Sequence, residues 1–236
     1  MSNAFQFKQF TVVQNHSGFK VGTDGCLLGA WADVSSAKHI LDIGTGSGLI
    51  ALMLAQRNTN ASITAIEINA ESAAQACENF ANSSFSNRLT LINQSLQLFE
   101  KENSTLFDHV VCNPPFFSNS TKNANDQQSL ARHDDSLRFQ ELFQFSFLMM
   151  SENGSLSIII PFDRKNEAIL IAKENGFYVK RILDIKPNPF KEENRTLLTF
   201  ELAPRPIEIE QWNLYSETNV YSSEAKNLLA PFYLKL

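Results

Sequence analysis

Three glycines, Gly44, Gly46 and Gly48, stand at alternate positions between an apolar run at 39–43 and a helix-like run at 49–56. Glycine is favoured where the backbone turns sharply or approaches another group closely. The segment therefore predicts a strand, a tight loop and a helix whose N-terminus faces a ligand. A dinucleotide site requires a glycine at the sixth position of its motif, and here the third glycine comes one residue earlier. This spacing disfavours an NAD site, and a tight turn without a ligand remains the alternative.

Strand-like and helix-like patterns alternate along most of the chain. The predicted strands are 5–13, 39–43, 62–68, 89–93, 108–112, 155–160, 177–185 and 196–202. The predicted helices are 23–31, 49–56 with Ser47 as cap, 70–81, 137–150, 163–175 and 222–232. Such alternation indicates an α/β fold in which helices cover both faces of a parallel sheet. No helix separates the last two strands, so they are expected to form an antiparallel pair at the edge.

Composition narrows the class of protein. The chain has 236 residues, 43% hydrophobic and 19% charged, which is typical of one globular domain spanning 1–236. Its net charge of −5 disfavours a generally basic nucleic-acid binder but leaves room for a local basic patch. Three scattered cysteines and four histidines suggest neither disulfides nor a metal site. No membrane span or secretory signal is visible, so we expect a cytoplasmic protein without membrane or metal.

Glu67 is the second residue that points to a ligand. It ends the predicted strand at 62–68 and lies nineteen residues after Gly48. An acidic residue at this place accepts hydrogen bonds from the two ribose hydroxyls of a nucleoside. Taken alone, Glu67 has an alternative explanation, which is a solvent-exposed glutamate at the end of a strand. Combined with the glycine loop, it predicts a nucleoside site.

The third feature is the run Asn113, Pro114, Pro115 and Phe116, which ends the predicted strand at 108–112. Ligands of open α/β sheets bind at the carboxyl ends of the strands. Two prolines hold the backbone extended and leave carbonyl oxygens unpaired, notably that of Pro114 beside the Asn113 amide. Two neighbouring acceptors suit one NH₂ group, and Phe116 offers a ring for stacking. A proline-rich strand exit is the alternative.

These motifs together resemble those of the class I S-adenosylmethionine-dependent methyltransferases, in the order Asp42-x-Gly44-x-Gly46-x-Gly48, Glu67 and 113–116. The segments 7–10, 20–25, 27–31 and 232–234 are similar to those of the tRNA (adenine-N6)-methyltransferases. Members of that family methylate the adenine just 3′ of the anticodon of tRNA1(Val). The resemblance covers nearly the whole chain, and it implies a Rossmann-like, seven-stranded, mostly parallel sheet with an antiparallel edge strand.

The resemblance implies S-adenosyl-L-methionine as cofactor and tRNA as partner of a monomeric enzyme. Residues 1–38 would then be an extension over the cofactor, and 39–236 the catalytic core. The cofactor-binding residues implied are Thr23, Asp24, Asp42, Gly44, Gly46, Gly48, Glu67 and Ser95. The catalytic residues implied are Asn113, Pro114 and Phe116. Ser95 departs from the family, which often has an aspartate there to bind the cofactor's adenine.

RNA binding requires positive charge despite the acidic total. The candidates are Lys122, Arg132, Lys180 and Arg181, although each is equally explained as solvated surface. Residues 116–136 show no periodicity, which predicts a lid or substrate loop.

Two kinds of alternative function remain. One is another methyltransferase for a planar nitrogen, acting on a glutamine amide of a protein or on adenine in other RNA or DNA. Glutamine-modifying enzymes usually carry a helical domain ahead of the glycine loop, and only about forty residues precede Asp42. The other is a nucleoside-binding or RNA-chaperone module without catalysis, which does not require paired acceptors at 113–114.

Overall fold

An eight-stranded sheet lies at the centre of the computed structural model, which describes residues 4–14, 21–114 and 139–236. Its strands are β3 (His39–Ile43), β4 (Ser62–Ile66), β5 (Leu89–Ile92), β6 (Phe107–Cys112), β7 (Met150–Pro161), β8 (Tyr178–Lys186), β9 (Arg195–Glu201) and β10 (Glu208–Asn213). They are ordered β10-β8-β9-β7-β6-β3-β4-β5. All neighbours are parallel except β9, which is antiparallel to both β7 and β8.

Helices cover both faces of this sheet. The helices are α1 (Thr23–Trp31), α2 (Leu49–Arg57), α3 (Ala70–Ala81), α4 (Leu96–Glu102), α5 (Phe139–Met149), α6 (Lys165–Glu174) and α7 (Ser223–Leu229). Residues along each strand alternate between two buried clusters, so that Ile40 faces one and Leu41 the other. The first cluster includes residues of α1, α2, α3 and α7, and the second includes residues of α4, α5 and α6. The predicted α/β class with a Rossmann-like, mostly parallel sheet is confirmed.

The strand count and the place of the antiparallel strand differ from the prediction. The last two predicted strands do pair antiparallel, as β8 and β9, but β9 lies inside the sheet between β7 and β8. An eighth strand, β10, pairs with β8 and occupies the edge. Its first four residues are exposed and two of them are glutamates, so it lacks the apolar signal of a buried strand.

The predicted strand at 5–13 is instead a hairpin of β1 (Ala4–Gln6) and β2 (Thr11–Val13). The chain turns where the Phe7 N–H donates to the Phe10 carbonyl at 2.9 Å. The C-terminal segment holds this turn, because Phe7 forms a bridge with Tyr233 and the Lys8 N–H donates to the Phe232 carbonyl at 2.8 Å. A second hairpin, β11 (Tyr215–Glu217) with β12 (Val220–Tyr221), follows β10.

The helix predictions agree closely at α1 and α3 and fail in two details. Ser47 does not cap α2, because Gly48 occupies the N-cap with φ 85° and no side chain caps the helix. The short helix α4 was not predicted. Within the three described ranges, no helix combines the length and apolar character needed to cross a membrane.

Candidate active site

Three of the residues singled out by sequence leave the sheet side by side. In the central parallel strands, Ile43 of β3 pairs with Ile66 of β4 and with Cys112 of β6. The next residues of the three strands are Gly44, Glu67 and Asn113. Because neighbouring strands lie about 4.8 Å apart, these residues are adjacent at the carboxyl edge. This edge is where open α/β sheets bind their ligands.

The glycine loop combines left-handed backbone with open space. Gly44, Gly46 and Gly48 have φ values of 69°, 58° and 85°, a region that other residues rarely adopt. Among the described residues, nothing lies within 4 Å of a Cβ built on Gly44 or Gly46. A Cβ on Gly48 would instead lie 2.5 Å from Cε1 of Phe80. The first two glycines therefore leave room for a ligand, whereas the third allows α3 to pack against the loop.

Asp42 supports the glycine loop through hydrogen bonds from its buried side chain. Its side chain is fully buried, and its Oδ2 accepts hydrogen bonds from Thr45 Oγ1 at 2.6 Å and from the Ala51 N–H at 3.1 Å. No described residue bonds to its other oxygen, Oδ1. Burial raises the pKa of the Asp42 carboxyl to about 7, with a smaller contribution from the charge of Glu67. This placement favours support of the loop over direct contact with a ligand.

Glu67 lies against the same loop. Its side chain is 9% exposed; Oε2 accepts from the Gly46 N–H at 2.9 Å and Oε1 from the Asn69 N–H at 2.8 Å. A carboxylate has about four acceptor positions, so two remain for further donors. Ile68 follows, with 62% of its surface exposed. The edge of the sheet thus presents acceptor oxygens beside an apolar surface.

Ser95 has a structural explanation. Its hydroxyl caps α4 by accepting from the Leu98 N–H at 3.3 Å. Asn93, closer to the end of β5, donates from its amide to the carbonyls of Glu67 at 2.7 Å and Ile68 at 3.2 Å. Asn93 therefore fixes the strand exit that carries Glu67, a role the sequence did not reveal.

Asn79 is a second residue that sequence reasoning missed. It lies on α3, and its side chain donates to the carbonyls of Val13 at 2.9 Å and Ser47 at 2.8 Å. It also accepts from the Val13 N–H at 2.9 Å. Asn79 thereby ties the N-terminal hairpin to the glycine loop. It lies 66 residues from Val13, too far for a local motif to show.

Thr23 and Asp24 begin α1, and the structure gives Asp24 an ionic partner. Its carboxylate pairs with the guanidinium of Arg195, and about a third of each side chain is exposed. Arg195 pairs with Pro161 at the end of β7, so the ion pair lies at the same carboxyl edge as the glycine loop. Arg195 was not predicted because 171 residues separate it from Asp24.

Asn113 is partly buried and Pro114 is buried directly after β6. Phe116, Lys122 and Arg132, together with the predicted loop at 116–136, lie outside the described residues.

Lys180 and Arg181 are not brought to the site. They lie in the first half of β8, which β9 and β7 separate from β6. Lys180 pairs with Glu201 at 2.5 Å, and Arg181 lies 3.2 Å and 3.4 Å from two glutamates on β10. The guanidinium of Arg181 also stacks over Trp31, with its Cζ 4.5 Å from the centroid of the ring. This pairing favours structural roles for both cations over contact with RNA.

No group of three or more histidine, cysteine or acidic side chains suited to a metal ion occurs in 4–14, 21–114 or 139–236. The arrangement at the carboxyl edge consists of hydrogen-bond acceptors, an apolar surface and a backbone cradle. These are the elements of a nucleoside-type site.

Solved structures show the fold. A predicted O-methyltransferase from Agrobacterium tumefaciens superposes with a TM-score of 0.68 at 21% identity, covering 89% of this chain and 96% of that one. A ribosomal protein L11 methylase from Lactobacillus delbrueckii subsp. bulgaricus gives 0.52 at 20% identity, covering 75% and 76%. Methyltransferases of this fold use S-adenosylmethionine in general.

Sequence comparison shows the family. The family described as Methyltransferase small domain matches residues 5–179. A tRNA1(Val) (adenine(37)-N6)-methyltransferase from Flavobacterium psychrophilum is 42% identical over 98% of this chain and 100% of that one. Proteins of the same name from Bacteroides fragilis and Aliivibrio salmonicida are 41% and 37% identical, over 98% and 100% of each chain. The chain therefore belongs to the family described as Methyltransferase small domain and, within it, to the tRNA1(Val) (adenine(37)-N6)-methyltransferases.

Proposed function

We propose that this chain transfers a methyl group from S-adenosylmethionine to N6 of adenine 37 in tRNA1(Val). The observation that carries the proposal is the joint exit of Gly44, Glu67 and Asn113 from three neighbouring parallel strands. In this proposal the three neighbouring residues serve as a backbone cradle, a ribose acceptor and an amine acceptor, respectively. Relatives that match the chain over nearly its full length are named for this substrate.

The described residues fit the cofactor. The space above Gly44 and Gly46 admits its amino-acid end, and the remaining acceptor positions of Glu67 suit its ribose hydroxyls. Ile68 offers apolar surface to its adenine, a contact that does not depend on Ser95. Thr23 and Asp24, within the extension 1–38, would cover the amino-acid end. When bound, S-adenosylmethionine supplies an electrophilic methyl group on a sulfonium.

The Asn113 side-chain oxygen and the Pro114 carbonyl would accept the two hydrogens of the adenine amine. The lone pair of this nitrogen is delocalised into the adenine ring. The two hydrogen bonds pull the amine hydrogens out of the planar geometry that this delocalisation requires. The same two oxygens stabilise the positive charge that develops on the nitrogen during transfer. No strong base is required, since the proton can leave after the methyl group has arrived. Phe116 would stack on the base.

The tRNA must present the adenine unstacked, which a nucleotide in a single-stranded loop does at low cost. Lys122 and Arg132 remain the proposed phosphate contacts beside the site. Within this proposal, residues 1–236 act as one methyltransferase domain, with 39–236 as the catalytic core. The enzyme acts as a monomer in the cytoplasm.

The test is methylation of unmodified tRNA1(Val) transcript with labelled S-adenosylmethionine, followed by mass analysis of the nucleosides. We expect N6-methyladenosine from the wild-type transcript and none from a transcript with guanine at position 37. A parallel reaction with release factor protein tests the glutamine alternative. Label in the protein, or no label in the tRNA, would contradict the proposal.

A further inference from the structure

Phe190 is the most exposed of the large apolar side chains described, with 95% of its surface open. It lies in the loop between β8 and β9. The loop is ordered by its own hydrogen bonds: the Phe190 N–H donates to Asn188 Oδ1 at 3.1 Å and the Lys191 N–H to the Asn188 carbonyl at 3.2 Å. These bonds fix the backbone of the turn, and the exposed face of the ring is available for stacking on a flat group.

Phe190 lies beside a preformed groove. A cavity of about 330 Å³ separates the 187–190 loop from the β11–β12 hairpin, lined by Pro187, Asn188, Phe190, Tyr215 and residues 216–219. Its volume is at the lower end of the range for ligand pockets. The hairpin is fixed to the loop because the Tyr215 N–H donates to the Pro187 carbonyl at 3.1 Å. The Tyr215 ring in turn stacks on Tyr221, with centroids 4.9 Å apart.

The groove opens at the same edge of the sheet as the candidate active site. The register through β6, β7, β9 and β8 puts Ile182 level with Cys112, the residue before Asn113. Strand β8 continues to Lys186, so its following loop lies beyond the plane in which Asn113 leaves the sheet. Three inter-strand spacings of about 4.8 Å separate the two strands. An RNA loop of several nucleotides can reach both places.

We infer that this groove binds a second unpaired base of the tRNA, stacked on Phe190, while adenine 37 occupies the active site. This inference rests on the proposed function. Base stacking on an aromatic ring tolerates any base. The carboxylate of Glu217 in the lining accepts a hydrogen bond from a base's amino group but repels phosphate, which favours a base as occupant. The exposed Lys191 beside Phe190 suits the adjoining phosphate.

The test compares Phe190→Ala and Phe190→Trp with Leu170→Ala, an exposed apolar control on α6 that is 59% open. We expect Phe190→Ala to raise KM and Kd for tRNA about tenfold, which corresponds to about 1.4 kcal/mol. Phe190→Trp should retain wild-type values, and Leu170→Ala should change nothing. Cofactor Kd, and kcat at saturating tRNA, should stay within about twofold in all three variants. Equal tRNA affinity in wild type and Phe190→Ala would overturn the inference.

A set of tRNAs with single abasic sites in the anticodon loop identifies the base. At one position other than 37, the abasic site should weaken wild-type binding and abolish the difference between wild type and Phe190→Ala. Additive losses at every position would overturn the inference and leave the groove to another occupant, such as a protein. Absence of methylation by the wild type would contradict the proposed function, whereas the binding series would still test the groove.

Discussion

The carboxyl edge of the sheet has two halves that are built in different ways. The glycine half, at the ends of β3 and β4, is held by contacts between the exits of two adjacent strands, such as the hydrogen bond from the Gly46 N–H to Glu67 Oε2 at 2.9 Å. The groove half, beyond the ends of β8 and β10, is formed where two separate segments meet, joined by the hydrogen bond from the Tyr215 N–H to the Pro187 carbonyl at 3.1 Å. Asn113 leaves the sheet between the two halves. Substitutions in one half should therefore affect one substrate and spare the other.

The largest effect is expected at the boundary between the halves. Asn113→Ala removes one of the two acceptors that stabilise charge in the transition state, so kcat should fall by about 10²–10³. Cofactor affinity should change by less than about threefold. Single-turnover kinetics and calorimetry with S-adenosylhomocysteine measure the two quantities. Equal loss of both would make Asn113 a structural residue.

A smaller, one-sided effect is expected in the glycine half. Glu67→Gln removes the charge from hydrogen bonds that contribute about 1.5–3 kcal/mol each, so KM for the cofactor should rise about tenfold or more. KM for tRNA should remain unchanged, the reverse of the pattern expected for Phe190→Ala. Steady-state kinetics with each substrate varied in turn provides the measurement, and thermal unfolding checks the fold. A parallel rise in both KM values would remove the distinction between the halves.

Within the glycine half, alanine substitutions at Gly46 and Gly48 are expected to have different effects. Gly48→Ala places a Cβ against Phe80 at a positive φ, so the free energy of unfolding should fall by about 2 kcal/mol or more. Gly46→Ala bears only the cost of its positive φ, about 1–2 kcal/mol, because its Cβ enters open space. Gly46→Ala should nevertheless weaken cofactor binding more than Gly48→Ala does. Urea unfolding and calorimetry on both variants check this. Equal stability losses with unchanged cofactor affinity in Gly46→Ala would show that no ligand approaches the loop.

The smallest effect concerns pH. The pKa of Asp42 is raised from 3.8 to about 7, so the folded protein holds a proton that the unfolded chain has lost. This contribution to stability is present at low pH and is lost as the pH rises through about 7. The wild type should lose about 1 kcal/mol of stability relative to Asp42→Asn between about pH 5 and pH 6. Burial lowers the pKa of His109 to about 4, which acts in the opposite direction, but it does so in both proteins and cancels in their difference.

Urea unfolding at the two pH values measures that difference. If the stability of the wild type relative to Asp42→Asn is the same at both pH values, Asp42 is ionised in the folded protein. Asp42 would then have a partner for its second oxygen.

The sequence predicted the parts of this molecule whose signal is local. The bounds of α3 agree with the prediction because alanine, glutamate and glutamine make up most of its residues. The bounds of α1 agree as well, although two of its nine residues are glycines. The joint position of Gly44, Glu67 and Asn113 was predictable because parallel strands all end at one edge.

Other features depend on pairing between distant segments. The insertion of β9 inside the sheet and the polar edge strand β10 follow from strand order, which no local pattern records. Arg195 and the groove beside Phe190 require knowledge of which loops meet. The Ser47 cap was wrong because the left-handed Gly48 begins the helix in its place.

The most direct measurement is a crystal structure of the protein with S-adenosylhomocysteine bound. We expect the ribose on Glu67, the amino-acid end over Gly44 and Gly46, and the sulfur facing the Asn113 side chain across a gap that admits a methyl group and an amine. A cofactor bound away from the glycine loop, or a sulfur directed away from Asn113, would contradict this expectation.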